Sequence, residues 1–358
     1  MVNKEQVESL LRKIKYPGFS RDIVSFGLVR NIDCENNQVA IKLALTTADP
    51  EIPSRLEQSI RDVLLEADKD LQIQVDMEVK APARTPGHNA ADKQTTGASA
   101  TGDIRFIVAV ASGKGGVGKS TFSVNLACAL EQILSRAGKP RSVGLMDCDI
   151  YGPSIPLMIG VNAEPQIEGN YLQPLENFGV RVMSMGLLVD ENTPIVWRGP
   201  MVMKTIQQFA ENVAWGALEV LVVDLPPGTG DAQLSLAQTL PLDGAVIITT
   251  PQTAAVQVAK RGAMMFEKVN VPVLGVVENM SHWSSPEGKA YYLFGKGGGE
   301  KVAKGLQTEL LGQVPLDQDI LQGGDHGIPV VVGYPDSVAS REITKIAQKI
   351  LSLLQKKN

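Results

Sequence analysis

Apolar positions along this chain fall into two patterns, separated by a stretch that has almost none. Before it, Lys4 to Ile14 spaces its apolar residues at helical intervals, and Ile23 to Ile32 and Val39 to Leu45 alternate as strands do. A helix capped by Ser54 is predicted to about Ala67, and Gln72 to Val79 alternates again. Residues 1–80 are therefore expected to form a small α+β domain. Residues 81–103 contain no Val, Ile, Leu, Met, Phe, Trp or Tyr and are rich in Ala, Thr, Gly and Pro. Such a segment cannot bury a core, and it reads as a flexible linker. Over residues 104–358, near-continuous apolar runs at Phe106 to Ala111, Ser142 to Met146, Val220 to Val223, Ala245 to Thr249 and Val273 to Val277 alternate with helical stretches. That is the pattern of an α/β domain whose mostly parallel sheet is covered by helices on both faces. Glu164 to Val189 is less regular and is expected to hold a hairpin beside the site. Ser337 to Lys357 is amphipathic, with Ile343, Ile346, Ile350, Leu351 and Leu354 on one side. The ordinary use of such a face is docking on its own sheet; a membrane surface is the other reading.

The first strand of the second domain runs into Gly113-Lys114-Gly115-Gly116-Val117-Gly118-Lys119-Ser120-Thr121 and then into an apolar-periodic helix to about Leu134. This fits G-x-x-x-x-G-K-[ST] in full, and in the strand–loop–helix setting that the motif requires. Glycines let successive backbone N–H groups converge on an anion, Lys119 brings a mobile charge to the outer phosphates, and the Ser120 hydroxyl is placed for Mg²⁺. The motif predicts a P-loop NTPase.

Two further strand ends carry acids. Val143-Gly-Leu-Met-Asp147-Cys148-Asp149 closes a buried strand with two carboxylates one residue apart, at the sheet edge where open α/β folds bind ligands. Leu221-Val-Val-Asp224-Leu-Pro226-Pro-Gly228-Thr-Gly230-Asp231 is a Walker B strand followed by a glycine-hinged loop, with Asp224 expected to hold the metal through water.

Composition adds exclusions. The 358 residues are 44% hydrophobic and 20% charged, which suits globular cores. A net charge of −5 argues against broad electrostatic binding to nucleic acid. No apolar run approaches the ~18 residues of a transmembrane helix, and the first residues lack a signal-peptide core, so a cytoplasmic location is expected. The three cysteines, Cys34, Cys128 and Cys148, show no C-x-x-C spacing, and reduced thiols are expected. Cys148, between two acids, invites a functional question. His88, His282 and His326 form no ligand set.

The loop Gly113 to Thr121, with its early Lys114, resembles the deviant Walker A loop of the ATPases that include the nitrogenase iron protein, MinD and ParA. From Val108 to Gly333, the segments G-K-G-G-V-G-K-S, D-C-D-I-Y-G-P-S-I-P, W-R-G-P-M, D-L-P-P-G-T-G-D, E-N-M-S, F-G-K-G-G-G-E and G-I-P-V-V are similar to the Mrp and ApbC branch. Asp22-Ile-Val-Ser-Phe-Gly-Leu-Val and Leu43-Ala-Leu-Thr-Thr-Ala-Asp-Pro resemble the small domain fused to iron–sulfur assembly factors. The resemblance implies an ATP- and Mg²⁺-dependent ATPase that closes as a homodimer around two ATP molecules. Lys114 would reach the nucleotide of the other subunit, Asp149 would orient the attacking water, and Asp147 would sit on the magnesium side with Ser120 and Asp224. Asn279 would read the adenine edge, and the loop from Pro315 to Asp317 would frame the base. The function implied is an iron–sulfur cluster carrier that serves apo-protein clients or assembly machinery. A MinD- or ParA-like switch without a cluster is the alternative.

Two departures bear on the cargo. The C-x-x-C that carries the cluster in Mrp-type relatives would fall near Ser285 and Gly288, and the cysteine that many relatives carry after the paired threonines is replaced by the turn Ala48-Asp49-Pro50-Glu51. Serine and glycine cannot replace thiolates around iron and sulfide. Any ligand would be another group, such as Cys148 from each subunit or thiols supplied by a partner.

Overall fold

The computed structural model describes residues 4–14, 22–24, 28–35, 38–46, 51–68, 71–80, 104–149, 152–188, 199–228, 231–285 and 287–356. They divide into two compact units, the first drawn largely from the N-terminal 97 residues. The expected linker, 81–103, lies outside the described residues.

The first unit contains α1 (Lys4–Leu11), β1 (Val29–Glu35), β2 (Gln38–Thr46), α2 (Glu51–Ala67) and β3 (Gln72–Lys80). Its sheet runs β1-β2-β3, with β1 antiparallel and β3 parallel to β2. Period two decides which face of β2 is buried: Val39, Ile41 and Leu43 are at most 2% exposed. Leu56, Ile60 and Leu64, four apart on α2, fill the same core. Two boundaries differ from expectation. Helix α2 starts at Glu51, and Pro53 sits in its first turn, where a missing N–H costs nothing, so Ser54 lies inside the helix and is not its cap. The strand expected from Ile23 begins only at Val29, because Ile23 occupies a turn.

The second unit contains β4 (Ile104–Ser112), α3 (Lys119–Arg136), β5 (Val143–Asp147), α4 (Ile155–Ile159), β6 (Ile167–Glu168), β7 (Tyr171–Leu172), β8 (Leu175–Asn177) and β9 (Val180–Ser184). It continues with α5 (Gly199–Asn212), β10 (Leu218–Asp224), α6 (Asp231–Thr239), β11 (Gly244–Thr249), α7 (Thr253–Lys268), β12 (Val273–Glu278), β13 (Trp283–Ser284) and β14 (Ala290–Tyr291). The last elements are α8 (Gly298–Gly305), β15 (Leu310–Gln313), α9 (Gln318–His326), α10 (Val330–Gly333) and α11 (Val338–Gln355). Eight strands pair in the order β15-β12-β11-β4-β10-β5-β9-β8, all parallel except the β8–β9 pair. Val108, Val110, Val220, Val222, Val246 and Ile248 share one core with the apolar sides of α3 and α11. The alternate positions Ala109, Val223 and Ile247 are buried on the other face, where α7 packs against β4 and β11. Burial on both faces is why these strands read as unbroken apolar runs.

The irregular region does contain a hairpin, β6–β7, but it also supplies β9, which joins the main sheet beside β5. The amphipathic C-terminal helix is part of the core: Ile346, Ile350 and Leu354 are fully buried, and α11 lies against α3 and β15. Its apolar face is thus covered by protein, which corrects the membrane-surface reading. No helix among the described residues is long and apolar enough to cross a membrane.

Candidate functional site

Parallel pairing gathers the acids. Asp224 is in register with Asp147 on β5, and β10 also pairs with β4, which leads into the phosphate loop. The C-terminal ends of three adjacent strands therefore deliver Gly113 to Lys119, Asp224 and Asp147 to one edge of the sheet.

The loop's glycines are selected by contact as well as conformation. A Cβ on Gly113 would lie 2.5 Å from the carbonyl group of Val258 in α7, so the strand end and the helix can pass only with glycine between them. Gly118 has φ +79°, and a Cβ there would overlap the Asn279 amide. Gly115 and Gly116 instead face open space, and Lys114 beside them is exposed. An open stretch of backbone at a helix start, with no side chain over Gly115 or Gly116, has the chemistry to receive an anion.

Beneath the loop lies a buried polar knot. Asp224 is fully buried; its Oδ2 accepts from Lys119 Nζ at 2.5 Å and from Ser120 Oγ at 2.7 Å, and its Oδ1 accepts from Ser123 Oγ at 2.6 Å. Three donors satisfy a carboxylate that would otherwise be costly to bury. Asp147, 1% exposed, accepts from Ser184 Oγ at 2.8 Å and from the Asp149 N–H at 3.0 Å. Burial, and then the neighbouring Asp224 carboxylate, push Asp147 up to about 7, against the lowering effects of Ser184, the Asp149 N–H and Lys119. Two buried carboxylates in register have one lysine between them, and the lack of a second cation beside Asp147 among the described residues favours its neutral form. The oxygen donors of the site, Asp147, Asp224 and Ser120, fit a hard divalent cation such as Mg²⁺. Asp149 is half-buried beside them.

Cys148 lies between the two acids, but its side chain is 1% exposed and its N–H donates to Asp224 O at 2.9 Å. Burial and the carboxylates Asp147 and Asp224 raise its thiol well above the ordinary value. This thiol faces the protein interior and resists ionisation, so it is not presented to a cluster bridging two subunits.

Asn279, 7% exposed, donates from Nδ2 to Val117 O at 2.9 Å, and its N–H donates to Thr249 O at 2.8 Å. One of its amide hydrogens is thus engaged with the phosphate loop. Pro315 is buried in a loop zipped to the one after β12: Ser281 N–H donates to Val314 O at 3.0 Å, and Leu316 N–H to His282 O at 2.7 Å. Asp317 caps α9 through the Asp319 N–H. Ser285 and Gly288 meet at the tip of the β13–β14 hairpin, where the Gly288 N–H donates to Ser285 O at 2.8 Å. Exposed Trp283 and Tyr291 lie against each other beside that tip, their rings tilted at 41° with centroids 5.6 Å apart.

Sequence reasoning missed Ser123, Ser184 and Gln233. Ser123 was findable, because it lies one helical turn after Lys119. Ser184 was not, since its link to Asp147 depends on β9 lying next to β5.

A family model described as the NUBPL iron-transfer P-loop NTPase matches residues 103–351, and one described as an iron–sulfur cluster assembly protein matches residues 4–75. Over 98% of its length the chain is 42% identical to the iron–sulfur cluster carrier protein of a Synechocystis strain, covering 97% of that protein. It superposes with a TM-score of 0.54 on a nucleotide-binding protein of Archaeoglobus fulgidus in complex with ADP, at 38% identity, covering 63% of this chain and 87% of the other. With the cell division ATPase MinD of Pyrococcus furiosus the TM-score is 0.53 at 22% identity, covering 70% of this chain and all of that one, a likeness of fold alone.

Proposed function

The chain belongs to the NUBPL-type iron-transfer P-loop NTPases, and on that premise we propose that it binds and hydrolyses ATP as a homodimer in order to carry iron–sulfur clusters. The observation that supports this most strongly is the buried knot of Lys119, Ser120 and Ser123 on Asp224 beneath an open glycine floor. Gly113 to Thr121 cradle the phosphates with their N–H groups. Lys119 and Ser120 exchange their contacts with Asp224 for contacts with the nucleotide. Ser120, Asp147 and Asp224 are the residues that would hold Mg²⁺, which when bound neutralises phosphate charge. Asp149, at the rim of the site, orients the attacking water. Lys114, exposed on the loop, is free to reach a nucleotide held by a second copy. Asn279, which already braces the loop, and the Pro315 to Asp317 segment frame the base.

The cluster is cargo, and the protein offers it few thiols. Cys128 and Cys148 are buried, burial pushes Cys128 up to about 12, and Cys34 in the first unit is the one partly exposed cysteine. The hairpin tip presents Ser285 and Gly288. Among the described residues no group of three His, Cys, Asp or Glu side chains is arranged to hold a metal. The cluster is therefore handled with thiolates contributed by the client or the assembly machinery.

Two measurements test this reading. Lys114→Ala should retain most ATP affinity and lose at least about 100-fold in turnover, as expected for a cation supplied in trans; normal turnover in that variant removes the trans role. Anaerobic incubation with iron and sulfide, followed by gel filtration, should leave little iron on the isolated protein and more when a thiol-bearing apo-acceptor is present. A stoichiometric cluster on the isolated protein would overturn the partner-thiol part of the proposal, and no cluster in either case would overturn the carrier role.

A further inference from the structure

Gln233 lies in the first turn of α6 and is 2% exposed, in a helix that the phosphate-loop motif does not mention. Its Nε2 donates to Ser112 O at 3.3 Å and also to Pro226 O. Ser112 is the last residue of β4, immediately before Gly113, and Pro226 is the second residue of the loop after Asp224. The Ser112 carbonyl also accepts from the Gly228 N–H at 3.0 Å, and the Ser112 hydroxyl donates to Lys114 O at 3.1 Å. A single side-chain amide thus joins the entrance of the phosphate loop to the Walker B loop. No residue type of the same shape replaces it: glutamate supplies only acceptors against two carbonyls, and leucine supplies nothing. The remaining Gln233 atom, Oε1, is buried and has no hydrogen-bond partner among the described residues. A buried acceptor left over on a two-loop clamp is a place where a donor arrives in another arrangement of the loops.

We infer that Gln233 is a positioning residue that couples the phosphate loop to the loop following Asp224, so that a nucleotide bound on one fixes the geometry of the other. The inference rests on the ATP hydrolysis proposed above. Gln233 touches no reacting atom. It holds Ser112 and Pro226 at a fixed separation, and through the Gly228 N–H bond to Ser112 O it limits where Gly228 travels when the γ-phosphate leaves.

The test uses the full-length protein with Gln233→Glu and Gln233→Leu. Three quantities are read: affinity for a non-hydrolysable ATP analogue, kcat against KM, and hydrogen–deuterium exchange across residues 221–239 with and without the analogue. Both variants should bind the analogue within about threefold of the wild type and lose at least about tenfold in kcat with KM little changed. The analogue should slow exchange in this segment of the wild type and leave it unchanged in the variants. Wild-type kcat together with a wild-type exchange response overturns the inference. A proportional fall in affinity and kcat with a lowered Tm also overturns it, because that marks a residue needed only for folding. If the wild type itself hydrolyses no ATP, the functional reading fails, and the exchange response alone still decides whether Gln233 couples the two loops.

Discussion

The buried carboxylate Asp147 gives the sharpest quantitative expectation. Its pKa rises from 3.8 to about 7 on folding, a shift of about 3 units, mainly through burial and secondarily through Asp224. The folded state therefore holds a proton that the unfolded chain releases, and stability falls as pH rises from about 4 to about 7 and is level above that. At about 1.4 kcal/mol per unit the whole shift is worth about 4 kcal/mol, of which about 2–3 kcal/mol accrues between pH 5 and pH 8. Asp147→Asn keeps the shape, stays neutral, and can still bond Ser184 and the Asp149 N–H. In the metal- and nucleotide-free protein its stability relative to the wild type should accordingly rise by about 2–3 kcal/mol from pH 5 to pH 8. Urea melts in EDTA at several pH values measure this directly. With saturating Mg²⁺ and ADP the advantage should disappear, because a cation offsets the ionisation of Asp147. A difference between variant and wild type that stays constant with pH refutes the reasoning, since it would mean that Asp147 does not gain a proton on folding.

Two further outcomes follow from packing. Gly113→Ala places a methyl 2.5 Å from the Val258 carbonyl group; it should lower stability by about 1–3 kcal/mol and weaken nucleotide binding as the loop shifts away from α7. A thermal melt paired with an ADP titration checks both effects, and an unchanged Tm would show that the backbones part freely. Ile350→Ala, at a fully buried position of α11, should cost about 2–5 kcal/mol in a urea melt. The wild type should show no ATP-dependent sedimentation with liposomes, because that helix face is already covered; sedimentation would refute its assignment to the core.

Local chemistry made much of the site legible. The glycine spacing, Lys119, Ser120 and the acids at two strand ends all announce themselves, because a phosphate cradle needs backbone N–H groups at a helix start and a metal needs oxygen donors at the same sheet edge. The five principal parallel strands were equally plain, being buried on both faces. Residues whose meaning depends on a neighbour distant in sequence were not visible. Ser184 matters because β9 pairs with β5, and Gln233 because α6 returns against Ser112. Cys148 shows the same limit in reverse: its position between two acids drew attention to its reactivity, whereas the packing around it removes the thiol from solvent.

By itself, then, the sequence determined the fold class, the phosphate loop and the absence of thiols at Ser285 and Gly288, since each is written in periodicity or in residues close together along the chain. Tertiary structure alone decided that the C-terminal amphipathic face is core, that burial pushes the Asp147 carboxyl well above the usual carboxylate range, and that one buried amide links the two loops. The physical reason is that burial, register and desolvation are properties of what surrounds a residue, and the chain assembles those surroundings from segments far apart along it, 121 residues in the contact of Gln233 with Ser112 and 162 in that of Asn279 with Val117.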